Sequence, residues 1–323
     1  MDFFTKSEQE ILLKAKNIIV GFSGGADSTL ALYATNEFLK SHNVANRLTA
    51  IYVDHQAQAS SADWLNHCES FCTTHKIEFK AERVEINQTG QGFEAAARSA
   101  RQDIFNAYED GTVIILGHHM DDQVETVFFR VLRGTGLKGL TGMQRHLTSK
   151  GKDLIRPLLN ISKDEILKYA VNNKLEFIED ESNQDNTYSR NFLRNKVIPK
   201  IMERWPGAKK NTARMANLLS KQSALYHKYL SEKLEIVCDE DGLLLDKLAK
   251  LDYFERAELI RIWLDQNSFA SPNESQMKEL EKSFFQSRKD AKPTIKFYRD
   301  DAQKTGVILS KTNNYLIAEE LNE

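Results

Sequence analysis

The chain has 323 residues, 41% of them hydrophobic and 28% charged, with a formal net charge of −2. That length predicts two or three domains, and the composition a globular protein with a real core; a charge so near zero leaves any nucleic-acid surface to be local. No apolar run approaches the roughly 20 residues that span a bilayer, the N-terminus MDFFTKSEQE lacks a signal peptide's apolar stretch, and three cysteines make no disulfide framework, which points to a reducing cytoplasm and no membrane.

NIIVGF (17–22) reads as a strand buried on both faces, and SGGADS (23–28) as a small polar loop running into a helix over 28–40. Such a junction places backbone N–H groups at the positive end of a helix dipole, an anion site. Gly24 and Gly25 allow close backbone approach, and Ser23 and Ser28 add hydroxyls; a capped helix after a tight turn is the plainer alternative. Asp27 is out of place at a bare anion site, and a Mg²⁺ bridge to phosphate explains it. LTAIYVDH (48–55), IEFKAERVEI (77–86) and TVIILGHH (112–119) read as further strands, alternating with helices over 61–75 and 92–109. In the first of these helices Trp64, Cys68 and Cys72 recur at i, i+4 and i+8, a buried face.

LGHHMDDQVET (116–126) leaves the fourth strand with Asp121, Asp122 and Glu125, the last two at i, i+3 on one helix face. An acidic helix start that complements the dipole is the alternative reading. His118 and His119 are adjacent on a strand and point to opposite faces, which argues against joint zinc ligation. GTGLKG (134–139) matches the dinucleotide fingerprint in letters but follows a helix over 121–133, so its required strand is missing; no Walker A loop occurs. Ser162 and Glu165 form a capping box. The segment 189–214 carries eight Lys or Arg against Glu203 alone, and Trp205 within it reads as core or as a base-stacking ring. The whole predicts an α/β fold: a doubly wound, mostly parallel sheet over 1–215, a helical linker, and a smaller α+β domain over 216–323.

SGGADS resembles the loop of the PP-loop ATP pyrophosphatases, which grip the pyrophosphate of ATP and cleave between the α- and β-phosphates. SGGADS, LGHHMDDQVET, RGTGLKGLTGM, IRPLL, EDESN and RNFLR together, in this order, resemble the tRNA(Ile)-lysidine synthetase family. The resemblance implies a cytoplasmic ATP- and Mg²⁺-dependent ligase. It adenylates O2 of the wobble cytidine of a tRNA(Ile) with a CAU anticodon, then joins free L-lysine at C2, releasing AMP and diphosphate and changing decoding from AUG to AUA. It implies ATP at Ser23, Gly24, Gly25, Ala26, Asp27 and Ser28, Mg²⁺ at Asp27 and Asp121, and lysine at Arg98, Asp122 and Glu125. His118 joins Asp27, Arg98, Asp122 and Glu125 in the catalytic set, and Arg190 and Arg194, at i, i+4, are expected on the tRNA. The first domain is then catalytic and the second binds tRNA, with a homodimer compatible. Related thiolases and amidating ligases are the alternatives; the absence of a C-x-x-C pair disfavours sulfur transfer. Longer members of the family carry a further C-terminal domain that holds the acceptor stem.

Overall fold

The computed structural model describes residues 2–54, 61–84, 93–179, 184–288, 291–298 and 306–321. Four sequence blocks run past these limits: His55 of the second expected strand, the last two residues of the third, the first residue of the helix expected over 92–109, and EDESN after its first residue. The chain divides into two compact units, Met1–Ser220 and Lys221–Glu323.

In the first unit six strands form one sheet: β1 (Ile18–Gly21), β2 (Leu48–Asp54), β3 (Glu78–Arg83), β4 (Val113–Ile115), β5 (His146–Ser149) and β6 (Lys152–Ile155). Their order is β3-β2-β1-β4-β6-β5, parallel throughout except for β5, which runs antiparallel to β6. The helices are α1 (Lys6–Lys14), α2 (Ala26–Ser41), α3 (Ser61–His75), α4 (Phe93–Asn106), α5 (Met120–Leu132), α6 (Leu137–Leu140), α7 (Lys163–Asn172), α8 (Ser189–Phe192), α9 (Ile198–Arg204) and α10 (Ala208–Val237). The break between the units falls inside α10.

The apolar strand runs are explained by burial on two faces. Ile18, Val20, Leu48, Ala50, Val113 and Ile115 join one core with Leu30 of α2, Phe71 of α3 and Ile166 of α7. Ile19, Ile51 and Ile114, one residue out of phase, join another with Phe105 of α4. Successive side chains of a strand alternate in this way, so helices cover both faces and the sheet is doubly wound. Each such buried aliphatic side chain contributes about 1.5–3 kcal/mol. Glu78–Arg83, largely exposed, has the polar character of an edge strand.

The β5–β6 hairpin was not expected from the sequence. Its two-residue turn, Lys150-Gly151, has positive φ at both residues (49° and 69°), the backbone twist that tight hairpins favour.

The second unit is an antiparallel sheet with helices. β7 (Cys238–Asp239), β8 (Gly242–Leu244), β9 (Thr294–Phe297), β10 (Val307–Thr312) and β11 (Tyr315–Glu320) lie in the order β7-β8-β11-β10-β9. With α11 (Leu245–Leu248), α12 (Tyr253–Gln266) and α13 (Glu274–Leu280) they enclose a core of Leu243, Leu259, Ile260, Leu264, Val307, Leu309 and Leu316. Asp252 caps α12, and Asn273 with Gln276 forms a capping box on α13.

Candidate active site

In the order β3-β2-β1-β4 the chain steps outward from β1 and then returns to its other side. Ligands of open parallel sheets bind at that switch, outside the carboxyl ends of the strands. The loops leaving β1 and β4 meet there. Gly117 in the second loop has no room for a side chain, since a Cβ would stand 2.9 Å from the carbonyl carbon and oxygen of Asp27.

In the first loop Gly24 takes φ +79°, a conformation suited to glycine, and its carbonyl accepts the Ile178 N–H at 2.9 Å. Helix α2 begins at Ala26, so Asp27 and Ser28 lie in its first turn. Gly25 gives that turn no side-chain cap. Ser28 Oγ accepts the Ser23 N–H at 3.1 Å and donates to the Gly25 carbonyl at 3.0 Å, fixing the loop's shape. Uncapped N–H groups at a helix start, tied by two serines, make an oxyanion seat.

Around this seat runs a chain of charges centred on His119. The His119 ring is buried and caps α5, its Nδ1 accepting the Asp121 N–H at 3.2 Å while the His119 N–H donates to Asp122 Oδ2 at 3.0 Å. Its Nε2 lies 3.6 Å from Asp27 Oδ2 and 3.5 Å from Asp122 Oδ2. Burial pushes the imidazole down, but the Asp27 hydrogen bond and the Asp122 and Asp27 charges outweigh it and raise its pKa. Burial likewise pushes Asp27 up, yet His119 and Lys163 hold it below the ordinary 3.8. Lys163 Nζ, at the start of α7, reaches both Asp27 oxygens at 2.7 and 2.8 Å, and the Lys163 N–H donates to Asp121 Oδ2 at 2.9 Å. Lys209 of α10 pairs with Asp121 through Oδ1. Sequence reading missed Lys163 and Lys209, and weighed His119 only as a metal ligand. The capping box at Ser162 was the available signal for Lys163, the first residue of the helix it caps.

One turn along α5, Glu125 is 2% exposed. Arg194 grips it bidentately, Nε to Oε1 at 2.6 Å and Nη2 to Oε2 at 3.0 Å, and Nη2 also reaches Asp122 Oδ1 at 3.3 Å. Burial raises the Glu125 pKa despite the guanidinium. The expectation that Arg194 faces RNA is corrected by this geometry. The five residues Leu193–Val197 form a π turn, so the i, i+4 spacing that aligns Arg190 and Arg194 on an α-helix does not hold. The guanidinium turns inward to the two carboxylates.

His118 faces the opposite electrostatic field. Its Nδ1 accepts from Arg156 Nε at 3.2 Å, and burial with Arg156, Arg98, Arg101 and Arg190 drives its pKa down to about 3. Arg98 and Arg190 line one cavity of about 350 Å³. The structure thus brings Ser23–Ser28, Asp27, Asp121, Asp122 and Glu125 together on the His119 side, and Arg98, Arg190 and His118 on the other. Trp205 is 63% exposed, so it is not a core residue.

A family model described as a PP-loop domain matches residues 2–201. The chain is 36% identical over 290 residues to a tRNA(Ile)-lysidine synthase of Proteus mirabilis, covering 89% of this chain and 66% of the relative. To a tRNA(Ile)-lysidine synthase of Photorhabdus laumondii it is 35% identical over 304 residues, covering 94% of this chain and 68% of the relative. The chain belongs to the tRNA(Ile)-lysidine synthase family. It spans about two thirds of the length of these lysidine synthases. Among solved structures, a U34-tRNA thiolase from Methanococcus maripaludis matches with a TM-score of 0.53 at 22% identity, over 67% of this chain and 78% of that one; the likeness is one of fold.

Among the described residues of this lysidine synthase relative, no group of three or more His, Cys, Asp or Glu could hold a metal ion by itself. Asp27 and Asp121 flank His119, and two carboxylates are the usual protein share of a Mg²⁺ site whose other ligands are phosphates and water. The donor set fits that ion. Cys68 and Cys72 are buried in the core, and burial pushes both thiols up to about 12, which keeps them from acting as thiolates. No helix among the described residues is long and apolar enough to cross a membrane.

Proposed function

We propose that this chain makes lysidine in the cytoplasm, joining free L-lysine to the wobble cytidine of a CAU-anticodon tRNA(Ile) at the cost of ATP. The observation that carries the reading is the cation already seated on Asp122 and Glu125, with His119 standing between Asp122 and Asp27 of the oxyanion seat Ser23–Ser28. The Arg194 guanidinium stands where an ammonium group of lysine would sit. Its two carboxylates give that group a charge-assisted seat beside the nucleotide.

The first step has O2 of cytidine attack the α-phosphorus of ATP while the α–β phosphoanhydride bond breaks. The first-turn N–H groups of α2, with the Ser23 and Ser28 hydroxyls, hold the departing pyrophosphate, whose growing charge they stabilise. Asp27 and Asp121 would hold a Mg²⁺ ion, which would supply charge neutralisation at the phosphates. Lys163 and Lys209, poised on those aspartates, are within the same cluster to do likewise. In the second step the lysine ε-amine attacks C2, the C2–O2 bond breaks, and AMP leaves with that oxygen. Glu125, its carboxyl raised by burial, is suited to accept the proton the amine loses.

The reading is tested by mass spectrometry of a CAU-anticodon tRNA transcript after incubation with the chain, ATP and lysine. A gain of one lysine less one water on the wobble cytidine is expected. Sulfur in place of oxygen on the RNA would instead establish a thiolase.

A further inference from the structure

The basic segment 189–214 carries outward cations and outward rings that the proposed chemistry does not use. Of its eight Lys and Arg residues, Arg194 and Lys209 turn inward to carboxylates. Lys196, Arg204 and Arg214 are exposed and make no ion pair among the described residues. Lys200 has only the exposed Glu203, at 3.4 Å, a pair that contributes little in water.

The rings are placed as selectively as the charges. Tyr188, Phe192 and Trp205, 41%, 48% and 63% exposed, are all of the exposed Phe, Tyr and Trp side chains described in the first unit, and each falls in this segment or directly beside it. Elsewhere in the unit such rings pack on one another, Phe22 on Phe71 and Phe3 on Tyr169. Trp205 stands at the corner between α9 and α10. Its N–H donates to the Ile201 carbonyl and its own carbonyl accepts the Ala208 N–H, both at 2.9 Å. The backbone on each side of the indole is therefore fixed while the ring is in water, so a flat partner can stack on it at little cost in ordering. Four residues on, Lys209 pairs with Asp121, which ties this corner to the carboxylate cluster.

Cations without counter-charges suit a polyanion, and a fixed, exposed ring among them suits a planar partner. A strand of unpaired nucleotides supplies both, a phosphate and a base at each step. A second copy of this chain would bring the same excess of cations to the contact, and like charges repel. We propose that Trp205 is a stacking platform for an unpaired base of the RNA strand that carries the modified cytidine, with Arg204, its neighbour in sequence, on a phosphate of that strand. The inference rests on the reading of the substrate as tRNA.

The test titrates a CAU-anticodon tRNA transcript into the wild type, Trp205→Phe, Trp205→Ala and Arg204→Gln across a range of salt. The altered side chains are exposed, so all three variants should keep the wild-type melting temperature. Trp205→Ala should bind about fivefold or more weakly with an unchanged salt slope, because a neutral stacked ring is lost. Trp205→Phe should keep most of the affinity yet lose the quenching of tryptophan emission that RNA causes in the wild type. Arg204→Gln should shrink the slope of log affinity against log salt by about 0.7, the value for one phosphate of a single strand. Wild-type affinity in Trp205→Ala, with lysidine still formed, would overturn the platform and leave the reading of the reaction intact. A lowered melting temperature in Trp205→Ala would make the ring structural, and a changed oligomeric state at unaltered RNA affinity would give it to another protein chain; either result overturns the proposal. A transcript bound through Trp205 but never modified would sink the reading of the reaction and leave the platform standing.

Discussion

His119 and His118 are neighbours in sequence whose pKa values move in opposite directions. The first lies among Asp27, Asp121 and Asp122 and binds its proton more tightly than a free imidazole; the second faces arginines and is kept neutral. Because the folded-state pKa of His119 is raised, its contribution to stability is full below the ordinary 6.5 and is lost as pH climbs through the folded value. Asp27 and Asp121 are lowered, so their contribution is present above 3.8 and lost as pH falls through their folded values. The stability gap between the wild type and His119→Asn, followed by denaturant unfolding, should therefore narrow as pH rises above 6.5; a gap that widens would remove the charged imidazole from the account. Glu125→Gln keeps shape but removes a charge from the proposed lysine seat. A charge-assisted bond is worth about 1.5–3 kcal/mol, so the lysine concentration for half-maximal rate should rise roughly tenfold or more. Normal lysine dependence would take Glu125 out of the site. Gly117→Ala would drive a methyl group into the Asp27 backbone, and ATP turnover should fall steeply, with a stability loss of about 1–3 kcal/mol. Unchanged turnover in that variant would show that the two loops have slack.

At the scale of elements, helix starts carry the site. Ser162 caps α7 by accepting the Glu165 N–H, and Glu165 returns the bond to the Ser162 N–H at 2.9 Å. That box aims Lys163 at Asp27 and its N–H at Asp121. Ser162→Ala should cost about 1 kcal/mol and lower the melting temperature by about 2–4 °C. ATP turnover should drop with it, and a melting-temperature loss at full turnover would mean Lys163 holds its position without the cap. These elements differ in how far the sequence revealed them. The strands at 17–22, 48–55 and 112–119 were legible because burial on two faces leaves an unbroken apolar run. The β5–β6 hairpin was not, since HLTS and KDLI are short, and β5 is largely exposed at the sheet's edge. The acidic cluster was legible from its spacing within one helix. The partners of that cluster were not: Lys163, Arg194 and Lys209 lie 136, 69 and 88 residues away in sequence from the carboxylates they meet. Arg194 was further hidden by the π turn, which no residue pattern announces.

Across the whole chain a net charge of −2 conceals a site of two signs. Carboxylates and their lysines gather at the carboxyl ends of β1 and β4, and arginines gather on the adjacent face of α5 and beyond it. The second unit has its own core and its own antiparallel sheet. The central claim is that the seat at the start of α2 grips pyrophosphate while a cytidine oxygen attacks the α-phosphorus. The most direct measurement follows ATP labelled at the α-phosphate, incubated with lysine, with a CAU-anticodon tRNA transcript, and with both. Labelled AMP, with pyrophosphate released alongside it, should accumulate only when RNA and lysine are present together. ADP as the main labelled product, or AMP formed at the same rate without RNA, would contradict the account.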